Sequence, residues 1–177
     1  SGSNHADALS VGPAAYAQVI PVLLCRPDGL GDDALEAIDW LDASAVHIVG
    51  GEAAVPDGVE SEVPWADWDR VAGADRYETA ALFADMAEMM EWSDGSKVGI
   101  ASGVSFADGL AGGAAMGSRG GILLLSAPDA LPEATAFALM MRAGSITSVE
   151  VFGGLRALSP EVEAGVAEML SGGGGGF

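Results

Sequence analysis

Apolar and polar positions along this chain follow two rhythms. Short runs of β-branched and aliphatic residues, QVIPVLLC (18–25), AVHIVGG (45–51), DRVAG (69–73), KVGIASG (97–103), GILLLSA (121–127) and VEVFGG (149–154), have the length of buried strands, and several stop at glycine. Between them, residues 6–17, 33–41, 76–92, 106–118, 132–142 and 160–170 carry the wider spacing of helices. Asp75, followed by Glu78, supplies the chemistry of a helix entry. Strand and helix alternating in this way predict an α/β fold, with a mostly parallel sheet, right-handed crossovers and helices on both faces.

The pattern is also written twice. Setting Ser1 on Ser102 matches "SGSNHADALSVGPAA" with "SGVSFADGLAGGAA", and twelve of thirty positions are identical through Leu30 and Leu131. After a two-residue adjustment, "VHIVGGEAAV" (46–55) falls on "VEVFGGLRAL" (149–158). The chain therefore holds tandem units. We expect a partial unit at 1–63 that lacks its leading strand and helix, a complete unit at 64–170, and a flexible glycine-rich tail, SGGGGGF, at 171–177. The first copy starts without a counterpart of KVGIA. The region before Ser1 in a longer polypeptide, or a neighbouring chain, is accordingly expected to lay a strand beside 19–25, with a homo-oligomer or a neighbouring repeat as partner.

Charge narrows the partners. Twenty-six acidic residues against seven basic ones give a net charge of −19, which repels nucleic acid and anionic membrane surfaces. The low lysine content suits a saline habitat, and a GC-rich genome gives the same bias. No apolar run is long enough to span a bilayer. The lone Cys25 lies in an apolar run and reads as a buried thiol.

Four segments in order, "VAGADRYETAALFAD" (71–85), "KVGIASGVSFADGLAGGAA" (97–115), "GILLLSAPDALPEAT" (121–135) and "VEVFGGLRALSPEVE" (149–163), resemble the cell-wall-binding repeat type 2 family, and the first copy resembles it too. The resemblance implies Rossmann-like units, usually three in tandem about a pseudo-threefold axis. It also implies a non-enzymatic extracellular module at the cell surface or wall, anchoring its protein to an anionic envelope polymer.

The residues themselves leave alternatives open. Asp7 and Asp108 stand at helix starts after strands, as caps or partners of an arginine, or as contacts to a ligand or ion. The pairs Gly50–Gly51 and Gly153–Gly154 end strands, where turns demand glycine or where phosphate can sit. Neither pair belongs to a GxGxxG, so no dinucleotide or other cofactor is expected. Arg76 and Tyr77 open a helix, a poor place for a cation unless a carboxylate such as Asp75 or Asp108 bridges it. Together with Arg70 and Arg156 they are candidates for polymer binding or inter-unit contact. Ser105 in "GVSFADG" approaches a nucleophile elbow, but Ala107 stands where the second glycine belongs, which leaves a hydrolase as the minor alternative. His5 aligns with Phe106 and reads as packing, and no His/Cys cluster has metal-ligand spacing. The small-residue helices "ADALSVGPAA" and "ADGLAGGAAMG" also permit a purely architectural role in a surface layer, appendage or virion, through protein–protein contacts.

Overall fold

The computed structural model describes residues 6–172, and His5 and most of the tail fall outside them. Its elements are α1 (Ala6–Ser10), α2 (Gly12–Gln18), α3 (Asp32–Trp40), β1 (Ala45–Val49), α4 (Val59–Glu62), β2 (Asp67–Val71), α5 (Arg76–Met89), β3 (Lys97–Ser102), α6 (Phe106–Gly117), β4 (Ile122–Ser126), α7 (Glu133–Arg142), β5 (Ser148–Phe152) and α8 (Pro160–Gly172). Every strand pair is parallel, as the alternation predicted.

The second unit is built around β3, which lies between β4 and β5. Its alternate side chains go to opposite faces. Val98 and Ile100 join Leu124, Leu139, Leu158 and Val162 under α7 and α8. Ala101 joins Met116, Leu123 and Leu125 on the α6 side. Gly99 is required on that side: a Cβ there would lie 2.6 Å from Met116 Cγ and 2.9 Å from Phe152 Cε2. Helix α5 contributes Ala80 to one cluster and Ala84 to the other. It starts as the sequence predicts, with Asp75 Oδ1 accepting from the N–H groups of Tyr77 (2.8 Å) and Glu78 (2.9 Å), while Glu78 Oε2 accepts from Ala74 N–H at 2.5 Å.

The first unit repeats the same core less completely. Ile38, Val55, Val59 and Val63 cluster with Leu30 and Ile48; in the sequence alignment they stand where Leu139, Leu158, Val162, Val166, Leu131 and Val151 stand in the second unit. Nothing among the described residues takes the place of Val98 and Ile100. Residues 18–25, expected as a strand, are not one. Gln18 closes α2, Val19 caps it in a left-handed conformation (φ 56°), and 21–25 take part in neither sheet. A strand needs a partner, and the equivalent of β3 is missing between 21–25 and β1. Val19, Ile20, Val22, Leu23 and Leu24 are all exposed. The predicted helix at 6–17 is likewise two helices, interrupted at Val11, with Pro13 in the first turn of the second.

Strand β2, assigned by sequence to the second unit, pairs with β1 of the first, Ala45 opposite Asp67 through Val49 opposite Val71. The expected boundary at 63/64 thus falls between two strands of one sheet.

The helices of the first copy pack onto the second through a row of glycines. Gly109, Gly113 and Gly117 lie on one face of α6, four residues apart. A Cβ on Gly109 would meet Leu9 Cδ1 at 2.8 Å, one on Gly113 would meet Gly12 Cα at 3.2 Å, and one on Gly117 would meet Tyr16 Cβ at 2.6 Å and Pro13 O at 2.7 Å. Gly12 and Gly113 are equivalent positions of the two copies, so the repeats touch backbone to backbone.

One buried cation ties the helices of the second unit together. Arg142, 6% exposed at the end of α7, binds Asp85 through Nη2 and Glu88 through Nε, both on α5, and donates from Nη1 to Ala138 O at 3.0 Å.

Candidate functional site

The carboxyl ends of parallel strands are where open α/β sheets bind ligands, and here they carry the same arrangement twice. β1 runs into Gly50 (φ 120°) and β5 into Gly153 (φ 123°). A side chain is excluded at both by conformation and by space: a Cβ would meet Asp7 Oδ2 at 2.9 Å at Gly50, and Asp108 Oδ2 at 3.0 Å at Gly153. Asp7 and Asp108 are equivalent residues, so each unit brings the carboxylate of its first helix turn against its own strand-end glycine. The partner glycines differ. Gly51 and Gly154 have no positive φ, and no atom lies within 4 Å of a Cβ on Gly154. Turn geometry therefore accounts for Gly50 and Gly153 only.

The two aspartates have different surroundings. Asp7 is 7% exposed, and burial pushes its carboxyl above the ordinary value of 3.8, with positive charge that includes Arg76 pulling the other way. Asp108 is half-buried, and its Oδ2 accepts from Ser105 Oγ at 3.2 Å. That bond occupies the hydroxyl in the helix turn rather than presenting it to a histidine.

The Asp7 environment sets a pH dependence. Its protonated form is favoured by folding, so this stabilising contribution is full below 3.8 and is lost as pH rises through the elevated folded value. Asp7→Asn is therefore expected to be more stable than the parent at pH 7, the gap closing as pH falls below 3.8. Urea denaturation at both ends of that range checks it, and an Asn variant weaker at pH 7 contradicts it.

The four candidate side chains take separate roles. Arg70 on β2 is mostly buried, paired with Glu60 (Nη2 to Oε1, 2.6 Å), and its Nη1 donates at 3.0 Å to Gly50 O and Val55 O. Glu60 is held below the usual carboxylate range by its own backbone N–H and by Arg70. Arg76 does not bridge Asp75 or Asp108. Its Nη1 donates to Gly103 O at 2.6 Å, because Asp75 is engaged in capping α5 and Asp108 faces Ser105. Tyr77 lies beside it, and a Cβ on Gly103 would meet Tyr77 Cε1 at 2.7 Å and Arg76 Cδ at 3.1 Å. Arg156 is exposed in the loop after Gly154 and forms no ion pair within 4.0 Å among the described residues.

Gly103 is the contributor that sequence reasoning passed over. Its signal was present, since "SG" stands at both 1–2 and 102–103. Since Ala101 pairs with Phe152 in β3–β5, the Gly103 and Gly153–Arg156 loops leave the sheet side by side. Among the described residues no group of His, Cys, Asp and Glu is arranged to hold a metal ion. Cys25 is buried, with Sγ 3.6 Å from Ala54 O, and His47 Nδ1 lies 2.7 Å from Asp69 Oδ1.

Comparison with known proteins gives this arrangement a setting. The family model for Cell wall binding domain 2 matches residues 1–60 and 70–163. The N-acetylmuramoyl-L-alanine amidase LytC of Bacillus subtilis (strain 168) is 29% identical over 163 residues, 91% of this chain and 32% of that protein. The amidase enhancer of the same organism is 27% identical over 175 residues, 95% of this chain and 22% of its own length. The chain thus spans under a third of either relative. Cwp6 from Clostridium difficile has the same fold with a TM-score of 0.80 at 24% identity, covering 95% of this chain and 26% of that one. Cwp8 from the same organism gives 0.76 at 23%, covering 95% and 28%.

Proposed function

The chain belongs to the Cell wall binding domain 2 family and is a cell-wall-binding module of a surface protein; from that premise we propose that its polymer contact lies at the carboxyl ends of β3 and β5, with Arg76 and Arg156 as the cations that meet an anionic envelope polymer. The observation that carries this reading is Arg156, an exposed cation with no ion pair among the described residues. It sits on a loop whose Gly154 leaves the backbone open, next to the loop that holds Arg76. Guanidinium groups suit phosphate and carboxylate because their fork donates two bonds at once. Arg70 supports the fold rather than the ligand, its donors being occupied by Glu60 and two carbonyls.

The module itself is non-enzymatic in this reading. The activities in the relatives' names belong to proteins of which the matched region is 32% and 22%, and Ser105 donates to Asp108. A net charge of −19 opposes any polyanion, so binding depends on screening salt or bridging divalent cations.

Co-sedimentation with purified wall polymer, titrated against NaCl and Mg²⁺, tests the assignment. Each charge-assisted contact contributes about 1.5–3 kcal/mol, so Arg76→Ala with Arg156→Ala should weaken binding by more than about tenfold while the fold persists. Arg70→Ala should instead lower stability by about 2–3 kcal/mol and leave the affinity of the folded fraction intact. Unchanged binding by the double variant overturns the site; ester or glycoside turnover abolished by Ser105→Ala overturns the non-enzymatic reading.

A further inference from the structure

Internal repetition supplies a control for helix α7. Its first-copy equivalent is α3, with buried Ile38 standing where Leu139 stands, and the outward positions Glu36, Asp39 and Trp40 stand where α7 has Phe137, Met140 and Met141. All six outward residues are exposed. The same helix in the same fold therefore accepts carboxylates at two of these places, and the packing of a unit asks for neither phenylalanine nor methionine there. Yet Phe137 is 59% and Met141 65% exposed, one turn apart on a single face.

The apolar surface continues onto α5. Arg142 joins the last turn of α7 to the end of α5 by binding Asp85 and Glu88. On α5, Leu82, Asp85 and Met89 follow one another at helical spacing and are all exposed, Met89 by 76%. Two neighbouring helices thus carry apolar ridges to the surface. A contiguous patch of this kind marks an interaction site, where a single exposed apolar residue does not.

We propose that this face of α5 and α7 is a docking surface for a cationic amphipathic helix of a partner protein. Ridges on two adjacent helices leave a furrow between them, and a third helix lays its apolar stripe into such a furrow. Methionine suits the task because its flexible, polarizable side chain moulds to the partner. Charge then selects the partner's flanks. Carboxylates border the apolar residues: Glu133 lies one turn before Phe137, and the Asp85 side chain is 63% exposed. The Arg142 side chain between the helices is only 7% exposed and is held by two acids, so it offers no counter-charge. Lysines and arginines beside the apolar stripe of an incoming helix complement this rim. A second copy of the chain would instead set the same carboxylates against each other, with a net charge of −19 on each side.

This surface and the polymer site face apart. Helix α7 leads into the start of β5 at Ser148, so its Arg142 end lies toward the amino ends of the strands, whereas Arg76 and Arg156 lie at the carboxyl ends. One end of the module is free to hold a protein while the other meets the wall.

The probe is a helical peptide of leucine and lysine, with one apolar and one cationic face, titrated into the whole chain at moderate salt. Calorimetry gives the affinity and methyl NMR of the methionines gives the place. Met89, Met140 and Met141 should shift, while the buried Met86 and Met116 should not. Phe137→Glu with Met140→Asp, the residues that α3 carries, should weaken binding by more than about tenfold at an unchanged melting temperature. The sign is diagnostic, because general attraction to an acidic protein grows when two acids are added. Met141→Gln repeats the comparison at constant charge and should weaken binding by about threefold or more. Unchanged or tighter binding by both variants overturns the proposal, as does equal binding of a peptide with glutamate in place of lysine. A dimer at moderate salt that the double variant abolishes makes a second copy the occupant and overturns it. Capture by zwitterionic vesicles, lost in the same variant, overturns it in favour of lipid.

Discussion

Gly117→Val will destabilise the protein by about 4 kcal/mol and Gly117→Ala by about 2, as expected of overpacking against rigid neighbours. Helix propensity alone gives the opposite sign, since alanine is favoured over glycine within a helix by about 1 kcal/mol. Close approach decides the outcome. The new Cβ falls 2.6 Å from Tyr16 Cβ and 2.7 Å from Pro13 O, and the carbonyl belongs to the backbone of α2, which cannot swing aside as a side chain can. For a chain of this length about 2 kcal/mol lowers the melting temperature by about 4–8 °C. Gly144→Ala is the control: nothing lies within 4 Å of its Cβ and its φ is not positive, so it should gain about 0.4–1 kcal/mol. Calorimetry that gives the two alanine variants the same sign shows that the copies are not in backbone contact.

Removing Asp85 and Glu88 together will cost about 3–5 kcal/mol, the penalty for a buried charge left without partners. Arg142→Met will cost less, about 1–2 kcal/mol, because an aliphatic replacement of similar volume fills the site and the freed carboxylates can turn to water. Exposure supports the asymmetry: the Arg142 side chain is 7% exposed and that of Asp85 is 63%. Overall charge argues the other way, since deleting two acids relieves part of a net −19. The prediction thus separates the local effect from the global one. Guanidinium chloride screens charge, so the comparison belongs in urea at moderate salt. Double removal that is neutral or stabilising means that Arg142 is hydrated in solution.

The parts of the fold that could be read from the chain were those fixed by local pattern. Lys97–Ser102, Ile122–Ser126 and Ser148–Phe152 are strands where the apolar runs place them, and Asp75 and Glu78 cap α5 as their spacing implies. The failure at 18–25 has one cause. Periodicity reports whether a segment suits a strand and carries no information on whether a partner strand exists, and these residues lack one. Arg142 was invisible for a related reason. In sequence it is a basic residue near a helix end, and only folding carries it to carboxylates more than fifty positions away. For the site, Asp7, Asp108 and the glycine pairs could be named individually. Their convergence, aspartate against strand-end glycine once per unit, follows from the crossover geometry and not from any local motif.

The pairing of β1 with β2 joins the two halves of the chain mainly through peptide groups, with His47 against Asp69 and Arg70 against Gly50 O as the side-chain contacts across the same seam. A joint made of amides places almost no demand on sequence beyond the absence of proline at its bonded positions. Segments joined this way can diverge in sequence while still fitting their neighbours, a freedom that suits a fold kept in recognisable form at 23–24% identity.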